Sequence, residues 1–554
     1  MEYKGFPEDR RVLPRDDTFL GLPVFKTEKG TLNSREDVGN SYLEYYLGVK
    51  REEYLAYKDA LAADGWQQVT HHAEPIRIVV NTSIFAKDRR ILALMCFDFP
   101  ESMWLPRKFF RTVALRPGYR MFDAGDLFAD VPGFEDRAGG TAADGTETDA
   151  GIFSAPRDTG EGHFTAVRDG VTREGYDEYL VRLARSGWTQ IQKSSIADTM
   201  FTALYEKDGR RLSALLAAPS RKLYVTVGEE ADTLSPHLFD LPEWRRKIDV
   251  DAKTSLHMLE LWHFGNSFVI HLKNGHFLIS DGGSRCETPY LLDYLESLTG
   301  GGKPVIEGWF ISHLHADHCG VLIELALDER WSSRLELDGV YISIPSAEML
   351  ALDPSGMGVA EILRLLPERI RTSAGKPVPF YRLRTGERYY FADITVDAIM
   401  TQELLPYEDC TGDLNDTSAW LIFNIEGQKV LLAGDGDKGG MKLLMDNYSP
   451  EFMRMDVMGL LHHGWNTRDF FTDYCRTRTM LFTCYGTDGP KQKAEANAHV
   501  KEMVEEYFPW SDGTRVLTFP YHVGESVCLP HFDWKYHRGE VRPCTPNVAE
   551  KRNK

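Results

Sequence analysis

The segment VIEGWFIS, residues 305–312, is an apolar run of strand length that ends directly on HLHADH, residues 313–318. That join restricts the fold more than any other feature of the chain. A buried strand that stops at three imidazoles and a carboxylate has to present them in the loop at its end, where they can converge on cations. His313 and His315 alternate along a locally extended backbone and project to one side, whereas Asp317 and His318 turn toward a second position. Imidazole nitrogen combined with carboxylate oxygen suits zinc, with Mn2+ or Fe2+ as alternatives. With 17 histidines in 554 residues, chance rarely packs three of them into six positions.

Two downstream segments complete the pattern. Residues 419–425 and 429–433 alternate like the strands of a hairpin about Glu426-Gly427, and the second delivers Asp435 within LLAGDGD. A carboxylate at such a strand tip can bridge two metals and hold a hydroxide between them. The strand DVMGLL, 456–461, then ends in His462-His463-Gly464. Upstream, residues 258–272 and 276–283 read as paired strands broken at the hairpin dipeptide Asn274-Gly275, and 289–298 as a helix. Cys319 adjoins the cluster but continues into the helix 321–327, so it reads as a small buried residue.

The motif HxHxDH at 313–318 resembles that of the metallo-β-lactamase-fold hydrolases. Within that superfamily, Asn415-Asp416-Thr417-Ser418, a hairpin, Gly434-Asp435, a helix and His462-His463-Gly464 are similar in sequence to the soluble domain of ComEC-type DNA-uptake proteins, whose membrane channel is absent here. The resemblance covers residues 252–535. It implies an α/β chain with a C-terminal metallo-β-lactamase-like αββα sandwich preceded by a tandem α+β repeat region. It makes His313 and His315 ligands of one Zn2+, Asp317 and His318 ligands of a second, Asp435 the bridge and His463 the last ligand. His462, Asn415, Asp416 and Ser418 then lie beside the metals or the substrate, and Asp281 supports the metal loop through hydrogen bonds. One departure stands out. No histidine occurs between His318 and His462, where the superfamily usually supplies a third imidazole to the first metal; the nearest polar residues are Cys410, Asp413, Asn415 and Asp416. The first site is then weaker or completed by water, and a single-metal enzyme stays open.

The chemistry implied is metal-dependent hydrolysis of a phosphodiester or another ester by a metal-activated hydroxide, with Asp317 and Asp435 as catalytic carboxylates. His462, Ser418 or Thr467 would reach the leaving oxygen. Two alternatives remain: thioester hydrolysis of the glyoxalase II type, and a degenerate, non-catalytic binding module.

The N-terminal half carries an internal repeat. Tyr54, Gly65, Trp66 and Gln68 return 122 residues later as Tyr176, Gly187, Trp188 and Gln190, and Lys87, Asp88 and Arg90 return 120 residues later as Lys207, Asp208 and Arg210. Each copy reads as a helix, a glycine stop and a hairpin, with its tryptophan packing in a core. The expected boundaries are a first unit at 1–134, a flexible linker at 135–162, a second unit at 163–250 and the catalytic domain at 251–545. A formal net charge of −19 disfavours nucleic acid relative to a small-molecule or ester substrate. Eight scattered cysteines, an N-terminus unlike a secretory signal and no apolar run of about 18 residues lead to the expectation of a cytoplasmic protein without a membrane partner. Oligomeric state is left open.

Overall fold

The computed structural model describes residues 23–28, 31–38, 41–47, 49–72, 79–87, 90–98, 108–115, 125–134, 153–154, 156–229, 231–261, 265–346, 349–350, 359–360, 362–404, 414–465, 469–483, 498–509 and 512–529. By contacts the chain divides into two units: one of residues 1–123, 345–364 and 407–414, the other of residues 124–344, 365–406 and 415–554.

In the first unit six antiparallel strands lie in the order Thr31–Val38, Ser41–Leu47, Lys108–Leu115, Arg90–Asp98, Val79–Lys87, Gln67–His72. The second unit contains a sheet ordered Arg157–Asp158, His163–Asp169, Lys222–Gly228, Arg210–Ala217, Met200–Lys207, Thr189–Ile196. Numbered along the chain, both sheets run 1-2-6-5-4-3, and in both a helix joins the second strand to the third: Arg51–Ala63 in one, Arg173–Arg185 in the other.

The repeated residues explain how each helix stops. Gly65 and Gly187 follow the last turns with φ of 87° and 88°, a left-handed conformation that glycine adopts without a Cβ clash. Lys87 donates to the carbonyl of Asp64, and Lys207 donates to that of Ser186 at 2.9 Å, so each ammonium sits on the negative end of a helix. Trp66 and Trp188 are buried in their respective apolar clusters.

Two boundaries differ from the sequence reading. Residues 125–134, assigned above to the first copy, pack on the second: Phe134 is buried in its core, and Asp130 accepts from Lys207 at 2.6 Å and from Arg210 at 2.7 Å. Arg157–Asp158, inside the expected linker, is an edge strand of the second sheet; 135–152 lie outside the described residues.

The C-terminal part of this unit is a two-sheet sandwich. One sheet runs Phe380–Arg382, Val340–Ile342, Val305–Phe310, Phe277–Asp281, Ser267–His271, Ser255–Met258, Arg515–Thr518, Val527–Cys528, with Glu336–Leu337 beside Val305–Phe310. The other runs Arg388–Tyr390, Ile394–Met400, Trp420–Ile425, Gln428–Leu432, Val457–Gly459, Thr479–Phe482, Glu506–Pro509. Alternate residues of both sheets, among them Phe268, Phe310, Val396, Phe423 and Val457, form one buried apolar cluster.

The expected strand 258–272 is instead two: Ser255–Met258 turns back to pair antiparallel with Ser267–His271. The hairpin at Glu426-Gly427 forms as expected, both central residues having positive φ (49° and 77°), the turn that matches strand twist. The expected strand 456–461 is shorter, Val457–Gly459, and gives way to a tight turn over Leu461–Gly464.

The second repeat module docks on this sandwich. Ile196, Met200 and Leu215 share an apolar cluster with Met400, Trp420 and Met441, while Ser194 and Thr202 donate to the carbonyls of Gly386 (2.6 Å) and Thr385 (3.0 Å). Among the described residues no helix is long and apolar enough to cross a membrane.

Candidate metal centre

The parallel strands of both sheets end on one locus. Phe277–Asp281 and Val305–Phe310 are parallel neighbours in one sheet, and Gln428–Leu432, Val457–Gly459 and Thr479–Phe482 in the other. Beyond the carboxyl ends of these strands stand Asp281, the loop 312–318, Asp435 and the turn 461–464. Loops at such strand ends are common ligand positions because rigid strands hold them while adjacent backbones diverge.

Backbone hydrogen bonds join these loops: Ala419 N–H donates to Ser312 O at 2.9 Å, His462 N–H to Gly434 O at 3.1 Å, and Asn266 N–H to Asp317 O at 3.2 Å. Glycines allow the close approach. A Cβ on Gly434, whose φ is 51°, would lie 2.3 Å from Ser312 Oγ, and one on Gly265 would lie 2.7 Å from Asp317 O.

Asp281 organises the imidazoles. Its Oδ1 accepts from Ser312 N–H at 2.9 Å; its Oδ2 accepts from Ser312 Oγ at 3.0 Å, Asn266 Nδ2 at 3.1 Å and His318 Nδ1 at 2.9 Å. A carboxylate only accepts, so His318 carries its proton on Nδ1 and turns the Nε2 lone pair inward. Ser312 Oγ, having donated to Asp281, accepts from His313 Nδ1 at 3.0 Å, which directs His313 Nε2 inward as well. Cys319 Sγ donates to His313 O at 3.2 Å, and burial pushes its thiol pKa up, so it acts as a packed donor.

The inward atoms form two sets. Asp317, His318, Asp435 and His463 present ligand atoms within 4.8 Å of one another; so do His313, His315 and Asp435. Asp435 belongs to both. His313 Nε2 and His315 Nδ1 are 2.9 Å apart, and His463 Nε2 is 3.2 Å from Asp317 Oδ2 and 3.5 Å from Asp435 Oδ1. His318 Nε2 is fully buried and 3.1 Å from Asp435 Oδ1, yet has no hydrogen-bond partner of acceptable geometry. Imidazole and carboxylate atoms that crowd a point, with His313–His315 and His463–Asp317 in hydrogen-bond contact and His318 Nε2 left unsatisfied, fit a divalent cation better than they fit a closed polar core.

The electrostatics point the same way. Burial, then neighbouring His318 and His315, hold His313 well below the usual histidine range, so its imidazole is neutral and its nitrogen available. Burial alone would lower His318, but Asp435, Asp281 and Asp317 outweigh it and raise its pKa well above the ordinary value. Burial would raise Asp435 and Asp317; His318 and His463 instead hold both carboxyls well below the usual range. The centre is a negative pocket that takes up a proton where a cation would go.

Residues 261–464, from the end of the first sandwich strand to the glycine after His463, match the family model of the metallo-beta-lactamase superfamily. This segment is a metallo-beta-lactamase superfamily domain. Solved structures similar to the chain include a metallo-beta-lactamase-type protein from Thermotoga maritima (14% identity, 37% of this chain and 95% of the other, TM-score 0.25). A second is titled a metal-dependent hydrolase of the beta-lactamase superfamily (13% identity, 46% and 95%, TM-score 0.27), and a third a metallo beta lactamase from Hirschia baltica (9% identity, 44% and 71%, TM-score 0.19). It is the sequence match over 261–464, not these superpositions, that identifies the domain. No curated protein matches the chain.

In this metallo-beta-lactamase superfamily domain the structure brings together His313, His315, Asp317, His318, Asp435 and His463. His462 stands at the edge, with Nε2 3.5 Å from Asp435 Oδ2 and a side chain 25% exposed. Asn415 and Asp416 are buried in the turn Leu414–Thr417, and Asp416 is in neither donor set. Ser418 is buried with its hydroxyl 3.3 Å from His313 Nδ1, beside a candidate ligand, the first of the two places expected for it. Cys410, Asp413 and Thr467 lie outside the described residues. Ser312 and Asn266 were missed; the only sequence signal for Ser312 is its place immediately before the motif.

Proposed function

We propose that the domain hydrolyses phosphodiesters or related esters with two divalent cations, zinc in the first instance. His313, His315 and Asp435 would hold one, and Asp317, His318, Asp435 and His463 the other. Such cations, when bound, lower the pKa of a water molecule toward neutrality and polarise the ester. The protein's own part is positional. Asp281 and Ser312 fix the tautomers of His318 and His313, so that both nitrogens enter the centre without reorganisation. Asp317 is held ionised and can orient a nucleophile, while His462, 25% exposed at the edge of the centre, is placed to exchange a proton with a leaving oxygen. The run Asn415–Ser418 supports a relationship to the ComEC-type soluble domain, and the net charge of −19 supports a small substrate over a nucleic acid.

The observation that carries this reading is that two separate donor sets share Asp435. The test is metal analysis combined with turnover of bis(p-nitrophenyl) phosphate. Bound zinc, loss of turnover on chelation, and a loss of at least about a hundredfold in Asp435→Asn are expected. Tight zinc without turnover of that diester, a carboxylic ester or a thioester would instead identify a non-catalytic module; turnover of the thioester alone would replace the diester reading.

A further inference from the structure

Of the tryptophans among the described residues, Trp465 alone is exposed, at 39%. It is also the one that follows the centre's last histidine pair. Its backbone N–H donates to His462 O at 2.7 Å and closes the turn, and its ring stands 6.5 Å from the His462 ring at an interplanar angle of 41°. The indole thus extends one ring outward from a side chain that approaches Asp435. Phe470, 43% exposed, begins the helix Asp469–Cys475 that comes next.

Trp465 leaves 39% of its surface in water, apolar aromatic area that a ligand could cover, whereas Leu461, His463 and Gly464 are the turn's buried members. A partly exposed imidazole and an exposed indole thus stand next to each other on the turn that carries His463. Flat π-faces favour flat partners: stacking on an aromatic side chain is worth about 1–3 kcal/mol per ring, without a requirement for particular hydrogen bonds.

We infer that Trp465 determines specificity by stacking on a planar ring carried next to the scissile ester, which makes the substrate an aryl or heteroaryl ester and not a simple alkyl one. The inference rests on the proposed hydrolytic function and is tested in two arms. In the first, kcat/KM is measured by fluorine NMR for phenyl, hexyl and methyl hexafluoroisopropyl phosphates, which share one non-aromatic leaving group and differ in the spectator group, so that only the phenyl ester carries a ring. The wild-type phenyl-to-methyl ratio falls about tenfold in Trp465→Ala, corresponding to about 1.4 kcal/mol, and stays within about threefold in Trp465→Phe. An equal loss for all three esters, or an unchanged ratio, overturns the inference; a hexyl preference lost in parallel shows an apolar contact without planarity and overturns it too. The second arm needs no turnover. Phenylphosphonate quenches tryptophan fluorescence in the full chain, methylphosphonate does not, and the quenching disappears in Trp465→Phe. Absence of turnover with this quenching intact refutes the proposed reaction but retains the ring site; quenching equal in wild type and variant refutes the ring site.

Discussion

Replacing Asp281 by asparagine changes one atom and inverts the polarity of half of a buried acceptor. In the native protein four donors converge on this carboxylate: Ser312 N–H on one oxygen, and Ser312 Oγ, Asn266 Nδ2 and His318 Nδ1 on the other. The amide can keep its oxygen toward the three donors, leaving its NH2 against Ser312 N–H, or flip and set its NH2 against His318 Nδ1–H. The first is the milder outcome. It leaves two buried donors unmade, Ser312 N–H and the asparagine's own NH2, at about 1–3 kcal/mol each, and turns three charge-assisted hydrogen bonds into neutral ones, at about 0.5–1 kcal/mol each. Asp281 is 0% exposed, so solvent does not soften the loss. Asp281→Asn is therefore expected to lower unfolding stability by at least about 4 kcal/mol, comparable to breaking other buried ionic contacts. Because His318 Nδ1–H then meets a neutral amide oxygen in place of a carboxylate, its ring is held less firmly and zinc affinity should fall about 10–100-fold as well. Chemical denaturation of the metal-free protein and competition with a chromophoric chelator read the two effects separately. A variant within about 0.5 kcal/mol of wild type, binding zinc equally well, would show that Asp281 does not organise the imidazoles.

Three further outcomes follow from the same structure. Gly434→Ala places a methyl 2.3 Å from Ser312 Oγ at a φ of 51°, and should lower the melting temperature and zinc affinity together, whereas Gly427→Ala, at a turn with open space, should affect stability alone. Burial, aided by Arg382 and Arg384, pushes His163 down to about 3. The unfolded chain takes a proton there that the native state refuses, so its contribution is intact above pH 6.5 and is lost as pH falls toward 3; His163→Asn should flatten the stability–pH slope in that window by up to about 1.4 kcal/mol per pH unit. Lys207→Met removes a helix-terminal donor whose side chain is 21% exposed, and should cost about 1 kcal/mol in thermal unfolding without altering zinc affinity.

What the sequence makes visible here is what is contiguous. His313, His315, Asp317 and His318 fall within six residues, and Asp435 and His463 end apolar runs short enough to be strands, so one-dimensional patterning exposes all six. The repeat is visible for the same reason, and its glycine and lysine acquire a physical role as the two devices that end each helix. Ser312 and Asn266 were not legible as parts of the centre, because serine and asparagine are common and their importance arises only where separate loops meet Asp281 and His313. The break within 258–272 was hidden because apolar residues stand on both sides of it, Met258, Leu259 and Leu261 before and Phe268, Val269 and Ile270 after, and such a pattern does not by itself show where the chain reverses. The docking of 125–134 on the second module was also hidden: it depends on Asp130 meeting Lys207 and Arg210, about 80 residues away.

His462, His463 and Gly464 follow one another with φ of 48°, 47° and 84°. Neighbouring side chains on a regular strand point to opposite faces, and this left-handed corner is what lets two consecutive rings look inward at once. For residues bearing a Cβ the conformation is unfavourable by roughly 1–2 kcal/mol apiece, which a cation gripping His463 can offset. Occupancy and backbone shape are thereby tied together: emptying the centre releases a bent spring, and the corner that loosens is the one from which His462 and Trp465 project.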